Sequence, residues 1–365
     1  MLIENWSYRP EYAILKEEIL QALEAVFDSG RLILGPKVEE FEKNFSAYCG
    51  SYFGIGVNSG TDALFLALKA LKIVPGDEVI TVANTAVPTV AAIRACGAIP
   101  VFVDIDKNYY LMDVAQLESV ITKKTKAILP VLLYGQSVDL EPLLGLAKKK
   151  KLAVVEDCAQ SHGCRYQGKM TGSFGDVGAF SFYPTKVLGG YGDGGMCVTS
   201  QQDLAERLMQ LRMYGMKGEY YSYIEGYNSR LDEMQAAILS VKLKYLEKEI
   251  AERRRIAHIY SEELCDYLMI PTIAPHSDHV YYLYVVRHPD RDHLVRALSK
   301  AGIQTRIHFP YPIHLMEAYQ WLGYGRGDLP VTEMVAKEIF SLPLYSGIPT
   351  ESIEKVIQTL KQLLH

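Results

Sequence analysis

The first half of the chain switches repeatedly between a two-residue and a 3.6-residue hydrophobic rhythm, and few folds accommodate that alternation. Residues 52–57, YFGIGV, form a short apolar run, and residues 62–71 follow with Leu64, Leu68 and Leu71 at helical spacing. The segment 78–82, EVITV, predicts a strand, and Pro88 opens the next helix, where its missing N–H costs nothing. A strand at 99–103, a helix at 114–121, a strand at 127–133, a helix at 141–150 and a strand at 152–155 continue the series. Strands separated by helices pair in parallel through crossovers, so the pattern predicts an α/β fold with a mostly parallel sheet covered on both faces. Residues 178–183 and 196–199 read as further strands of that sheet.

Beyond residue 204 the pattern changes. A tyrosine-rich, glycine-broken stretch, YGMKGEYYSYIEGYNS, occupies 214–229, and a long charged helix is expected over 231–260. The tail reads as a small α/β unit with a strand at 281–286, a helix at 292–301, a strand at 303–307 and more helix at the end. The expected division is a large domain over 1–255, with an N-terminal helical segment, and a small C-terminal domain over 256–365.

Composition narrows the function. The net charge of −5 argues against a nucleic-acid binder, which would present a basic face. The basic run 148–151 ends a predicted helix, where lysines suit the negative end of the dipole. No run of about 18 apolar residues predicts a membrane span, and the opening MLIENWSYRPEY lacks the form of a signal peptide. The cysteines at 49, 96, 158, 164, 197 and 265 show no CxxC spacing. In a chain this long they are expected to be reduced thiols of a cytoplasmic protein.

Ligands of open parallel sheets bind at the carboxyl ends of the strands, and chemistry-bearing residues collect there. Asn58-Ser59-Gly60-Thr61-Asp62 joins a strand to a helix. Free N–H groups at a helix start attract anions and glycine admits a phosphate, although the same residues would serve as an ordinary N-cap. Glu156-Asp157 ends the strand 152–155, as ligand-facing carboxylates or as a structural cap. In SFYPTKVLGGYGDGGM (181–196), Ser181 precedes Lys186 by five residues, and glycines let the loop turn tightly. A loop lysine is ordinarily solvated; in a desolvated pocket its amine can form a Schiff base. An anion cradle, a carboxylate and a lysine at neighbouring strand ends match the needs of pyridoxal phosphate: donors for the phosphate, an acid for the ring nitrogen, an amine for the aldehyde.

The chain resembles the DegT/DnrJ/StrS-type nucleotide-sugar aminotransferases, a branch of the fold-type I pyridoxal-phosphate enzymes. The resemblance runs through GRLILGPKVEEFE (30–42), NSGTDALFLAL (58–68), GDEVITVANT (76–85), VVEDCAQSHG (154–163), GAFSFYPTKVLGGYGDGGM (178–196), YNSRLDEMQAAIL (227–239) and GIQTRIHFPYPIH (302–314). It implies an aspartate-aminotransferase-like fold, a homodimer with shared active sites, and amino transfer from glutamate, leaving 2-oxoglutarate, to a nucleotide-linked keto sugar. Carried over by residue, it makes Lys186 the Schiff-base lysine and Asp157 the partner of the ring nitrogen. Gln160 would approach the ring hydroxyl. Gly60, Thr61 and Ser181 would hold the phosphate, and Asn228 would reach it from the other subunit. His162 lies in the family motif but is left out of the catalytic set. His308 and His314, without carboxylate or cysteine at matching spacing, do not predict a metal site; the resemblance suggests a wall of the substrate pocket.

In the segment Thr85-Ala86-Val87 many members carry an aromatic residue where this chain has Ala86, which leaves the stacking contact on the cofactor ring to another group. Relatives that replace the lysine with histidine dehydrate the sugar; Lys186 favours transamination. The segment ANTAVPTV (83–90) resembles members acting on dTDP-linked 3-keto-6-deoxyhexoses. A 4-keto sugar, a UDP-linked one, or a non-enzymatic nucleotide-sugar sensor of the same fold are the alternatives, and a sensor does not need the lysine. A lyase or desulfurase of this fold lacks support, because no mobile cysteine loop is evident.

Overall fold

The computed structural model describes residues 2–365. Two helices come first: α1 (Arg9–Ser29) and α2 (Pro36–Cys49). The alternating region follows as β1 (Phe53–Val57), α3 (Gly60–Ala70), β2 (Glu78–Val82), α4 (Val87–Ala95), β3 (Ile99–Val103), α5 (Leu117–Val120), β4 (Thr125–Ile128), α6 (Leu140–Lys150) and β5 (Ala153–Asp157). A small hairpin, β6 (Arg165–Tyr166) and β7 (Lys169–Met170), precedes β8 (Val177–Ser181), β9 (Gly195–Thr199) and α7 (Gln202–Leu211). The remainder comprises α8 (Glu233–Leu243), α9 (Leu246–Leu264), β10 (Tyr284–Arg287), α10 (Arg291–Lys300), α11 (Pro330–Glu338), β11 (Ile339–Leu342) and α12 (Thr350–Leu364).

Seven strands form one sheet in the order β1-β9-β8-β5-β4-β2-β3. Strands β8, β5, β4, β2 and β3 run parallel, and β9 lies antiparallel between β8 and β1. The strands are nearly continuous apolar runs because both faces are covered. Side chains alternate between two cores, as the strand period of two requires. Val177, Ala179 and Cys197 enter the core that also holds Leu64, Leu66 and Leu68 of α3. Their neighbours Phe180, Met196 and Val198 enter the core built on Phe41 and Phe45 of α2. A further core gathers residues from Ile256 to Leu360, together with Ile3.

Tertiary contacts move several elements from their expected places. The strand expected at 127–133 ends at Ile128; Pro130 has no N–H for the ladder, and only Val131 makes a further bridge, to Asp157. The helix expected at 114–121 is a 3-10 turn over Val114–Gln116 and then the single turn of α5. The long helix expected over 231–260 is two helices, broken at Lys244 and Tyr245. The strand expected at 303–307 is absent: Ile303 bridges Ile3 and Arg306 bridges Ser341 as isolated pairs. The partner of β10 is instead β11, antiparallel.

Helix α2 begins at Gly35, whose own side chain cannot cap it. The cap comes from α8. The buried Glu233 carboxylate accepts the N–H groups of Gly35 (2.9 Å), Lys37 (3.0 Å) and Val38 (2.7 Å), which satisfies orphan donors at a positive helix end. This contact fixes α8 against the sheet side that carries the 182–194 loop.

Candidate active site

The carboxyl ends of β1, β5 and β8 open onto one cavity of about 300 Å³. Gly60, Thr61, Asp157, Gln160, Ser181 and Lys186 all line it. The sequence-predicted residues from three strand ends are therefore brought together in one chain. Asn228 is exposed and does not line the cavity of its own chain.

Strand β5 runs through both acids, and strand alternation separates them. Glu156 is the structural one. It is fully buried and accepts N–H groups from Gly172 (2.7 Å), Phe174 (2.8 Å) and Gly175 (2.8 Å), fastening the turn that leads into β8. Asp157 faces the cavity. Thr89 Oγ1 donates to its Oδ2 at 2.8 Å and the Ala159 N–H to its Oδ1 at 3.2 Å. Because the Thr89 proton goes to Asp157, the Thr85 hydroxyl donates to Thr89 at 2.9 Å. Burial holds the Asp157 carboxyl above its ordinary range, against the pull of Thr89, Ala159 and the Lys186 charge. A carboxylate so placed is stabilised by a cation arriving in the cavity.

Ser59 settles the question of the N-cap. Its Oγ accepts the Asp62 N–H at 3.1 Å, so it caps α3 as the ordinary reading holds. The next N–H groups, those of Gly60 and Thr61, have no acceptor within the helix, and both residues line the cavity. A Cβ on Gly60 would stand 2.5 Å from Ser181 Cβ, so only glycine lets β8 approach this helix start. Ser59 thus serves as the cap, and the free N–H groups of Gly60 and Thr61 stand at the cavity edge.

Gln160 is oriented by a backbone contact: its Oε1 accepts the Tyr134 N–H at 2.8 Å, which leaves its amide N–H groups as donors. Tyr134 takes a positive φ of 61° there and donates its hydroxyl to the His308 carbonyl. Lys186 follows β8 in a turn closed by its own N–H to the Tyr183 carbonyl (2.9 Å) and by Gly190 N–H to Phe182 O (2.8 Å). Its Nζ lies 4.7 Å from the centre of the Tyr282 ring. No ion-pair partner for Lys186 occurs among the described residues.

His162 is fully buried beside the rings of Phe180 and Phe182, and burial followed by the Lys186 charge pushes its pKa down to about 3. It is a neutral core residue. Neither His308 nor His314 lines this cavity. His308 pairs with Ser341 Oγ at 2.9 Å, and buried His314 lies 3.3 Å from Glu333 Oε1. No group of three or more metal-ligating side chains occurs among the described residues. Ala86 lines the cavity, and the apolar wall also includes Leu64, Pro88, Val131 and Ala159. Thr85, Thr89 and Tyr134 were not singled out from the sequence. Only the spacing of the two threonines by one helical turn hints at their shared role.

These residues fit pyridoxal phosphate: a buried acid, an amine without an ion-pair partner, an oriented amide and a glycine-lined helix start share one cavity. The cofactor would be held by Gly60, Thr61 and Ser181 at its phosphate, by Asp157 and Gln160 at its ring, and by Lys186 at its aldehyde.

Comparisons with known proteins agree. A model of the DegT/DnrJ/EryC1/StrS aminotransferase family matches residues 13–361. The dTDP-3-amino-3,4,6-trideoxy-alpha-D-glucose transaminase of Micromonospora megalomicea subsp. nigra is 47% identical over 98% of this chain and 98% of its own length. The dTDP-3-amino-3,6-dideoxy-alpha-D-galactopyranose transaminase of Aneurinibacillus thermoaerophilus is 45% identical over 95% of each. The crystal structure of S. venezuelae DesV in complex with a ketimine intermediate superposes with a TM-score of 0.98 at 41% identity, covering 100% of this chain and 99% of that one. Fold, site and relatives together place the chain in the DegT/DnrJ/EryC1/StrS aminotransferase family.

Proposed function

We propose that this sugar aminotransferase takes its amino group from glutamate and delivers it to C3 of a dTDP-linked 3-keto-6-deoxyhexose. The observation that carries the reading is the shared cavity: Lys186, the buried Asp157 and the α3 N-terminus all line it. The dTDP-linked 3-amino sugars named for its relatives support the acceptor class. All six thiols, five buried and Cys265 exposed, are unpaired, which fits a reducing cytoplasm.

Bound pyridoxal phosphate would supply the carrier for the amino group and a sink for electrons released at the reacting carbon. The chain's own residues do the rest. Lys186 Nζ takes the proton from the donor's α-carbon and holds it for return, as a general base and then acid. Asp157 would keep its negative charge against the ring nitrogen and so hold that nitrogen protonated. Thr89 and Ala159 fix the two oxygens of that carboxylate, so no reorganisation is needed during the reaction. Gln160 would donate to the ring hydroxyl, and Gly60, Thr61 and Ser181 would bind the phosphate.

We assign Asn228 to the phosphate of a partner subunit in a two-fold dimer. It is exposed, while its neighbour Ser229 is buried. Ser229 Oγ donates to Asp62 Oδ2 at 2.7 Å and accepts the Asn58 N–H at 3.1 Å. The segment is thereby anchored on its own α3 while Asn228 projects outside its own cavity.

Amino transfer from glutamate across dTDP- and UDP-linked 3-keto and 4-keto sugars tests the proposal. The yellow protein is expected to be bleached by glutamate and to regain colour with a dTDP-3-keto-6-deoxyhexose; turnover only with 4-keto or UDP-linked sugars would reassign the substrate.

Asp157→Ala is expected to slow single-turnover amino transfer from glutamate by about 100-fold or more, with a much smaller loss of cofactor affinity. A rate within a few-fold of wild type would give Asp157 another role.

Mixed dimers test the shared site. When Lys186→Ala is combined in equal amounts with an inactive Asn228→Ala variant, action in trans restores roughly a quarter of wild-type activity, because half the dimers then hold one intact site of two. Activity at the level of the parent variants would place Asn228 in its own subunit's site.

A further inference from the structure

The turn that follows Lys186 is not held by its own chain alone. Phe182 N–H donates to Gly194 O and Gly190 N–H to Phe182 O, each at 2.8 Å, which closes the base of the loop. The polar backbone between Gly189 and Gly192 is met from α8. Lys242 Nζ donates to the Gly189 carbonyl at 2.5 Å, and Gln235 Oε1 accepts the Tyr191 N–H at 2.9 Å. The approach is close: a Cβ on Gly190 or Gly192 would stand 2.7 Å from the Gln235 amide and would displace it.

Lys242 is itself fixed. Its side chain is 4% exposed, pairs with Glu11 Oε2 of α1 at 2.7 Å, and lies 5.1 Å from the centre of the Tyr191 ring. Ile238 and Val241 of α8 pack on Leu15 and Ile19 of α1. None of Glu11, Gln235 and Lys242 lines the 300 Å³ cavity. Lys242 thus links the buried pair to a backbone carbonyl three residues beyond Lys186. An uncharged residue, Gln235, grips the same turn independently.

We propose that Gln235 and Lys242 are positioning residues: through the 189–192 turn they set where Lys186 Nζ stands relative to Asp157. The inference rests on the reading of Lys186 as the cofactor-bearing amine. A displacement of about 1 Å at such a group is enough to cost on the order of 100-fold in rate.

The test uses the purified holoprotein and four forms: wild type, Gln235→Met, Gln235→Glu, and the double variant Glu11→Gln/Lys242→Met. The double variant removes both charges together, so no ion is left buried without its partner. The readouts are the pH titration of the visible absorbance of the lysine-bound cofactor, kcat and KM for glutamate, and the midpoint of thermal unfolding. In Gln235→Met and in the double variant, the absorbance titration is expected to move by about 0.5 pH unit or more. In the same two variants kcat should fall about 10-fold or more while KM stays within about 3-fold. Gln235→Glu, which keeps an acceptor oxygen for the Tyr191 N–H, should restore most of both. A wild-type titration and kcat in Gln235→Met would overturn the proposal whatever its thermal midpoint, and that pair decides even if the double variant does not fold. A wild-type protein with no visible band would refute the cofactor reading itself, whereas a wild-type band with unchanged variants refutes only the positioning role.

Discussion

The site depends on a carboxylate kept in the interior with no cation hydrogen-bonded to it. Asp157 is 4% exposed, and its oxygens are held by a hydroxyl and a backbone N–H. Burying an acid in this way is unfavourable, and its raised pKa records that cost. Much of the surrounding structure exists to hold it in place. Asp157 N–H donates to Pro130 O and Leu132 N–H to Asp157 O, each at 3.0 Å, so the chain leaving β4 still embraces the end of β5. Thr85, just before α4, and Thr89, in its first turn, follow β2, which lies two strands from β5 in the sheet. A positively charged ring nitrogen would relieve the strain, and the proposed function makes use of this unmet demand.

Around that carboxylate the protein places groups of different kinds at fixed distances. The N-terminus of α3 offers backbone donors, and Gln160 offers an amide turned by the Tyr134 N–H. Lys186 offers an amine on a loop braced from behind by α8. Helices α1 and α2 tie that brace to the sheet, α2 through the Glu233 cap and α1 through Glu11. The N-terminal helices thus belong to the architecture of the site although they contribute no residue to the cavity wall.

The central sheet was legible because its signal is local. Strands β2 and β3 fall on the residues expected from their apolar runs, and the strand-end placement of Gly60, Asp157, Ser181 and Lys186 followed from the same pattern. What was not legible depended on distant partners. The break at Lys244 and Tyr245 has no glycine or proline to announce it; it follows a lysine drawn into the interior by Glu11 and Gly189. Strand β11, IFSL, is too short to be distinguished from a helical segment by period, and it is a strand because β10 pairs with it. Thr89 reads as a residue in the first turn of a helix, and its partner Asp157 lies 68 positions away. The strand pattern alone did not separate Glu156 from Asp157, and only the family resemblance singled out Asp157; the alternation of β5 made one a structural fastener and the other a cavity acid.

The claim on which the account turns is that the amine of Lys186 carries the cofactor. Borohydride reduction of the yellow holoprotein, followed by proteolysis and mass mapping, measures this directly. The account predicts a pyridoxyl group on the peptide containing Lys186, in wild type, and its loss in Lys186→Ala. A pyridoxyl group on any other lysine of the wild-type chain would contradict it.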